Sequence, residues 1–231
     1  MADKNVVQEV DKGEVMIAHA KDFWTKYQKQ IMIACGAVIL LGGGWLGYKN
    51  FIKAPKEKKA VSALFKAEEY YRMDSVKLAL NGDGANPGLL KVISQHSGTK
   101  AANLAHFYAG VCFIKLDDNA NAIKHLEKFS TSAKQTQQRA YKLLADAYGE
   151  TGKFKEAFDY YKKSANEFTE DEASAAAGLF YAAYTAQKKL NKPNDAIELY
   201  KELKTKYPGA SEYTFQADAL LAELGVYNAD N

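Results

Sequence analysis

The chain has 231 residues and a formal net charge of only +3, and Arg72 and Arg139 are its two arginines. This composition offers no basic, aromatic-rich stripe for a nucleic-acid backbone, so nucleic acid is excluded as a partner. The two cysteines, Cys35 and Cys112, fall in an apolar run and in a helical pattern, so they cannot pair as a disulfide.

An uncharged apolar run, IMIACGAVILLGGGWLGY, occupies residues 31–48. It has no polar stripe at helical spacing, and it just reaches the roughly 20 residues that a membrane-spanning helix needs, which argues against a core helix. A cleaved signal peptide is disfavoured because residues 1–30, which mix acids with lysines, precede the run. Trp45 and Phe51 indicate an interfacial aromatic belt at its end. We therefore expect a retained transmembrane helix over residues 31–52.

The lysines on the two sides of this run bear on its orientation. Those before it are Lys21, Lys26 and Lys29, and those after it are Lys49, Lys53, Lys56, Lys58 and Lys59. Taken literally, the positive-inside rule places the C-terminal part in the cytoplasm. The difference is small, and long domains translocate with little regard to charge, so the count leaves the orientation open.

Residues 53–100 are expected to form a linker helix and a degenerate first copy of the repeat described below. The pattern predicts one long helix from Lys56 to Leu80, then the loop NGDGANPG and the short helix LLKVISQH. The loop lacks the Lys-Ser/Thr pair and the preceding strand of a phosphate-binding loop. We interpret it as a helix-to-helix turn.

Three self-similar helical pairs fill residues 101–208. In the clearest, AYKLLADAYGETGKFKEAFDYYKKSANEF, small alanines let two helices approach, tyrosines fill the space between pairs, and Gly152 supplies the turn. The segments HFYAGVCFIKLDDNANAIKHLEKF and FYAAYTAQKKLNKPNDAIELYKELKTKYPG fit the same template, with Asp117 and Asp118 in place of the turn glycine in the former. The pattern resembles the tetratricopeptide repeat. The expected fold is all-α, a single N-terminal transmembrane helix followed by a tetratricopeptide-repeat α-solenoid.

Two further expectations concern helix ends. Thr169 is the expected cap of a helix whose acidic first turn includes Glu170. Residues 209–231 are expected to form a capping helix and a tail, in which Phe215, Ala219 and Leu220 make an apolar face over the exposed end of the stack.

Repeat stacks of this kind bind proteins with the surface that their first helices form. In this register the partner groove is expected to be lined by Phe107, Val111, Lys115, Lys142, Asp146, Tyr181, Thr185 and Lys188. An ordinary solvated face is the alternative that the pattern leaves open. In the apolar run, Gly43 and Gly47 form a Gly-x-x-x-Gly face that could pack against another transmembrane helix.

No pattern of catalytic residues stands out. The four histidines, His19, His96, His106 and His125, have no metal-ligand spacing, and no serine lies in a nucleophile motif. The hypothesis from the residues is therefore a protein that is not an enzyme and that uses neither a metal nor a cofactor.

The order of elements along the whole chain adds a second resemblance. A mixed-charge N-terminus, a span ending in GGWLGYKNF and the segment KAVSALFKAEEYY, which runs into degenerate repeats, resemble the YfgM-like ancillary subunits of the bacterial Sec translocon in their Bacteroidota versions. The resemblance implies a single-pass inner-membrane protein with residues 1–30 in the cytoplasm and the repeats in the periplasm. It implies translocon subunits, a membrane-anchored periplasmic chaperone and exported polypeptides as partners.

The function hypothesis is thus a noncatalytic scaffold that recruits a chaperone to, or transiently holds, chains emerging from the translocon. Two alternatives stay open at this point. One is a tetratricopeptide adaptor for envelope assembly or cell division, and the other is a cytoplasm-facing adaptor, which the lysine count favours.

Overall fold

The computed structural model describes residues 12–226, with side chains from residue 15 onward. It divides into two units, one reaching to Pro55 and one beginning at Lys56. The first eleven residues of the predicted cytoplasmic segment and the last five of the predicted tail lie outside the described residues.

The N-terminal unit consists of helix α1, Lys12–Gly47, and a π-helical segment, Tyr48–Lys53. Among the described residues, one helical stretch is long and apolar enough to cross a membrane, and its apolar window is not buried by protein. The large apolar side chains exposed along it include Met32, Ile33, Val38, Ile39, Leu40 and Leu41. Exposure on every side of the helix fits a hydrocarbon environment. A signal sequence near the N-terminus also meets these criteria of length and composition.

The C-terminal unit is built from helices alone over its described residues. The helices are α2 (Ala54–Arg72), α3 (Val76–Asn81), α4 (Leu89–Gln95), α5 (Lys100–Lys115), α6 (Asn119–Leu126), α7 (Lys134–Glu150), α8 (Phe154–Glu167), α9 (Glu172–Lys188), α10 (Pro193–Lys206) and α11 (Ser211–Glu223). Helices α5 and α6, α7 and α8, and α9 and α10 form three pairs, and α6 against α7 and α8 against α9 join one pair to the next.

Small residues set how closely these helices pack. Ala145 and Ala157, the alanines at the predicted approach of α7 and α8, are fully or almost fully buried. Between pairs, Gly178 of α9 lies against the backbone of Ala165 in α8, where an added Cβ would come within 2.7 Å of the Ala165 nitrogen. Large side chains such as Tyr200 fill the remaining space and are themselves buried.

The turns inside the first two pairs use the same geometry. Gly152, between α7 and α8, has φ of 75°, and Asp117, between α5 and α6, has φ of 58°. In both turns the N–H of the following residue donates to the carbonyl oxygen five residues earlier, at 2.9 Å, which is a Schellman motif. The prediction that Asp117 takes the place of the turn glycine is confirmed.

The predicted single helix from Lys56 to Leu80 is wrong. Helix α2 ends at Arg72, because Asp74 takes a left-handed conformation with φ of 55°. The N–H of Ser75 then donates to the carbonyl oxygen of Tyr70 at 2.9 Å, which closes a third Schellman motif. Aspartate is one of the few residues other than glycine that tolerates this conformation, so the break carries no Gly or Pro signal.

The start of α9 also differs from the prediction. The helix begins at Glu172, and its cap is Asp171 rather than Thr169. The Asp171 carboxylate accepts hydrogen bonds from the backbone N–H of Ser174 at 3.1 Å and from its hydroxyl at 2.8 Å. A carboxylate at this position satisfies a free N–H and opposes the positive end of the helix dipole.

The face with which helix α11 packs on the stack shares only Leu220, which is half-buried against the core, with the predicted face. Ala217 and Leu221 are its buried residues, whereas Phe215 is 78% exposed. The helix therefore keeps a second apolar face, which carries Phe215, outside the core.

Candidate protein-binding groove

The first helices of the pairs, α5, α7 and α9, contribute to a polar cavity of about 630 Å³. Its lining residues are Tyr71, Leu104, Phe107, Tyr108, Gln135, Thr136, Gln138, Arg139, Lys142, Ser164, Asp171 and Ser174. The buried Gln138 side chain donates to the carbonyl oxygens of Ser164 and Phe168 at 3.2 and 3.1 Å. These bonds satisfy the Gln138 side-chain N–H groups from within the chain.

A second cavity, here called the apolar pocket, lies between α9 and α11 and has a volume of about 420 Å³. Its lining residues are Phe180, Tyr181, Tyr184, Phe215, Gln216, Ala219 and Leu220. Tyr184 is 40% exposed and Phe215 is 78% exposed. Aromatic side chains presented to solvent around a concave surface are typical of protein interaction sites.

A third cavity, here called the central pocket, also has a volume of about 420 Å³. Its lining residues are Asp146, Gly149, Glu150, Phe154, Tyr161, Tyr181, Tyr184, Thr185 and Lys189. It shares Tyr181 and Tyr184 with the apolar pocket. Lys142, from the polar cavity, places its Nζ 5.2 Å from the centroid of the Tyr181 ring. The Lys142 contact makes the first cavity a neighbour of the other two, and the three cavities are together called the groove below.

Three of the predicted groove residues are largely buried. Phe107, Val111 and Thr185 are each 6% exposed. Phe107 packs against the ring of Phe129 with centroids 5.1 Å apart, and the Thr185 hydroxyl donates to the carbonyl oxygen of Tyr181 at 2.7 Å. Helical spacing put these residues on the groove side, but the neighbouring helices cover them. Phe107 and Thr185 still line the edges of cavities.

The predicted charged residues stay at the surface, and each forms an ion pair within the chain. The pairs are Lys115 with Asp74, Lys142 with Asp146, and Lys188 with Glu223. The Asp146 carboxylate, 2.9 Å from the Lys142 ammonium, also accepts a hydrogen bond from the Tyr161 hydroxyl at 2.7 Å. Burial, together with this carboxylate, raises the pKa of Tyr161, so the phenol stays protonated.

Tyr181, the remaining predicted groove residue, is half-buried at the junction of the central and apolar pockets. Tyr184 and Phe215 are not among the predicted groove residues, although both line the apolar pocket. A signal was present in each case. Tyr184 is a large residue where the repeat template usually has a small one, and Phe215 lies on the apolar stripe that predicts packing over the end of the stack.

The predicted transmembrane packing face stays a prediction. Gly43 and Gly47 lie four residues apart in α1, and a Cβ added at either one would meet no described atom within 4 Å. Both glycines are therefore open to a close approach by another helix.

The glycine-rich loop lies between α3 and α4 and is closed by Asp83. Its carboxylate accepts hydrogen bonds from the Tyr70 hydroxyl at 2.6 Å and from the backbone N–H groups of Ala85 and Asn86 at 2.9 and 2.6 Å. These bonds lower the pKa of Asp83. Over the described residues, no group of three or more His, Cys, Asp or Glu side chains is placed to hold a metal ion.

The tetratricopeptide-repeat family model matches residues 104–135 and residues 177–210. The first range starts within α5 and includes all of α6, and the second starts within α9 and includes all of α10. A comparison with curated proteins found no matching relative. The chain therefore carries tetratricopeptide repeats, and the predicted fold class, an all-α tetratricopeptide-repeat solenoid after one long apolar N-terminal helix, is confirmed.

Proposed function

We propose that the chain is a noncatalytic, membrane-anchored scaffold that binds partner proteins at the bacterial inner membrane. The observation that carries this proposal is the combination of tetratricopeptide repeats with one apolar helix of spanning length. Such repeats work as protein-interaction surfaces. An anchor of this kind confines that surface to the membrane, where a scaffold raises the local concentration of its partners.

The finer proposal is an association with the Sec translocon and a membrane-anchored periplasmic chaperone, to assist exported proteins. Its support is the resemblance of the whole chain to the YfgM-like translocon subunits. In this proposal residues 31–52 span the bilayer, the repeats at 101–208 lie in the periplasm, and the groove contacts the partners. Residues 53–100 serve as a linker and first repeat, and the helix in 209–231 caps the stack.

Topology is the first test, because the lysine count favours a second candidate, a cytoplasm-facing adaptor. We expect a phosphatase fused after Asn231 to be active, since that enzyme works only outside the cytoplasm. A fluorescent protein that folds well in the cytoplasm serves as the reciprocal fusion. Fluorescence without phosphatase activity would contradict the periplasmic placement and support the cytoplasm-facing adaptor.

Partner identity is the second test. A photocrosslinking residue at Tyr184, in the groove, is expected to capture translocon subunits, the chaperone and exported chains. The same residue at Lys155, an exposed position of α8 outside the three cavities, is the matched control. Capture of envelope-assembly or division proteins would support that adaptor class instead. Equal yields at both positions would contradict a role for the groove.

The transmembrane packing face has its own test. Leucines in place of Gly43 and Gly47 would fill the surface that allows close helix approach, so we expect less translocon to copurify in mild detergent. Gly42→Leu adds one leucine to a different side of α1 and is the control. Equal losses for the two variants would contradict a specific face.

A further inference from the structure

The apolar pocket differs in chemistry from the rest of the groove. Its lining contains four aromatic side chains, Leu220, Ala219 and one amide, Gln216, but no charged residue. The polar cavity and the central pocket each carry both acidic and basic side chains. A partner that binds at this end of the groove therefore contacts only uncharged side chains.

One helical turn beyond Tyr184 and Leu220, a lysine of α9 and a glutamate of α11 pair with each other. On α9 Lys188 forms an ion pair with Glu223 of α11, and the Gln187 amide also donates to that carboxylate at 3.3 Å. A partner that brought a charge into the pocket would find no counter-ion there. Burying an unpaired charge costs several kcal/mol, so the pocket discriminates against charged segments of either sign.

Two hydroxyl groups at the pocket are free to bind a peptide backbone. Tyr181 and Tyr184 line the pocket, and neither phenol makes a hydrogen bond to another described residue. A tyrosine of this kind offers an apolar ring to side chains and a hydroxyl to a main-chain carbonyl. A polypeptide satisfies both features, whereas a lipid tail satisfies only the first.

We propose that the apolar pocket is the docking site for an uncharged, apolar segment of a partner polypeptide. Phe215, Tyr184 and Leu220 contact its side chains, and the hydroxyls of Tyr181 and Tyr184 donate to its main-chain carbonyls. The charge complementarity is that of a neutral site with a neutral ligand. The inference rests on the proposed function, since it names which part of the groove selects the partner and by what chemistry.

The test uses the full chain in lipid nanodiscs and fluorescein-labelled peptides, with affinity measured by fluorescence anisotropy. The neutral probe has the core Leu-Phe-Leu-Leu between Gly-Ser flanks, and two further probes replace Phe by Asp or by Lys. We expect the neutral probe to bind at least about tenfold more tightly than either charged probe, because a charge in the pocket stays unpaired. Equal or tighter binding of a charged probe would overturn the proposal.

Substitutions assign the binding to the pocket. Phe215→Ser removes an exposed ring and is expected to weaken the binding of the neutral probe at least about tenfold. Phe65→Ser is the matched control, because Phe65 is also a largely exposed phenylalanine, 65% accessible, and lies on α2 outside the pocket. Tyr184→Phe deletes one hydroxyl and should weaken binding about threefold. Equal effects of Phe215→Ser and Phe65→Ser would overturn the assignment, since they would indicate nonspecific adsorption.

A second copy of the chain is the competing occupant, and it has a separate readout. Sedimentation velocity of the full chain in detergent is expected to give the same monomeric species for the wild type and Phe215→Ser. A dimer that Phe215→Ser dissociates would overturn the proposal in favour of self-association. If crosslinks from Tyr184 to other proteins persist while the probes show no neutral preference, the scaffold function stands and this inference falls.

Discussion

The imidazole rings of His106 and His125 meet through their Nδ1 atoms at 3.1 Å and connect α5 to α6. His125 also stacks on Phe113 with ring centroids 5.3 Å apart. At this distance one neutral ring donates a hydrogen bond and the other accepts it, so the contact does not survive protonation of both rings. Burial lowers the pKa of both histidines, and for His125 the neighbouring His106, Lys124 and Lys128 lower it further, to about 4.

This pair makes the repeat unit sensitive to acid. Between about pH 6.5 and pH 4 a histidine in the unfolded chain binds a proton, whereas His125 in the folded chain does not. Protons therefore favour the unfolded state, and the free energy of unfolding falls as the pH drops through this window. We expect the free energy of unfolding to fall by about 2 kcal/mol, a value that allows for the partial solvent exposure of His125. Urea unfolding of the full chain in detergent, followed by circular dichroism, measures it.

Two glutamine variants separate this effect from general acid denaturation. His125→Gln removes one titrating ring and should flatten the stability profile between about pH 6.5 and pH 4. His19→Gln, on α1, should leave the profile unchanged. Parallel profiles for the wild type and His125→Gln would refute the role of the pair.

Two helical glycines with different surroundings, Gly178 in α9 and Gly149 in α7, predict opposite effects of Gly→Ala substitutions on stability. At Gly178 the new Cβ would lie 2.7 Å from the nitrogen and 2.9 Å from the Cα of Ala165, and backbone cannot move aside cheaply. We expect a destabilisation of about 2–3 kcal/mol. At Gly149, also within a helix, the nearest atom is the Ala157 Cβ at 4.0 Å. There alanine should stabilise by up to about 1 kcal/mol through its helix propensity. Urea midpoints check both, and a stabilising Gly178→Ala would contradict the packing.

The sequence predicted those parts of the fold that local periodicity determines. Ala145 and Ala157 lie at the template positions where the two helices of a pair must bring small residues together, and Gly152 lies at the turn of the template. The groove was harder to predict, because exposure depends on residues distant in the chain. Val111 and Thr185 lie at groove spacing but are buried, and Phe215 lies on an apolar stripe but is exposed.

The helix ends likewise divide into those that neighbouring residues encode and those that depend on residues distant in the chain. Asp74 terminates α2 through its backbone conformation, which no composition signal marks. The N-terminus of α5 is capped twice, locally by Thr99, whose hydroxyl accepts from the N–H of Ala102, and from α2 by Glu57. Only the first of these caps is encoded by neighbouring residues, so only the first is open to prediction from sequence.

The Glu57 contact predicts a stability loss on truncation. Its two carboxylate oxygens accept hydrogen bonds from the backbone N–H groups of Lys100 and Ala101, each at 2.9 Å. Glu57→Ala leaves both groups without this acceptor and should cost about 1–2 kcal/mol, whereas Glu57→Gln keeps an acceptor and should cost less. Glu69→Ala, which removes a surface ion pair from the same helix, is the control and should have little effect. Urea unfolding gives the three values, and equal losses for Glu57→Ala and Glu69→Ala would contradict the cap.

The turns at Asp117 and Gly152 predict changes of opposite sign in the free energy of unfolding. Asp117 adopts φ of 58°, a left-handed conformation that costs a residue with a Cβ roughly 1 kcal/mol, so Asp117→Gly should stabilise the chain by about 0.5–1 kcal/mol. Gly152, at φ of 75°, has no such cost, and Gly152→Ala should destabilise by about 1–2 kcal/mol. Both values come from urea midpoints of the full chain in detergent. A loss of stability in Asp117→Gly would contradict this prediction, because it would require the Asp117 carboxylate to stabilise the turn by more than the left-handed conformation costs. The one side-chain hydrogen bond that this carboxylate accepts from a described residue, from the Asn119 amide at 3.3 Å, is too long to supply that difference.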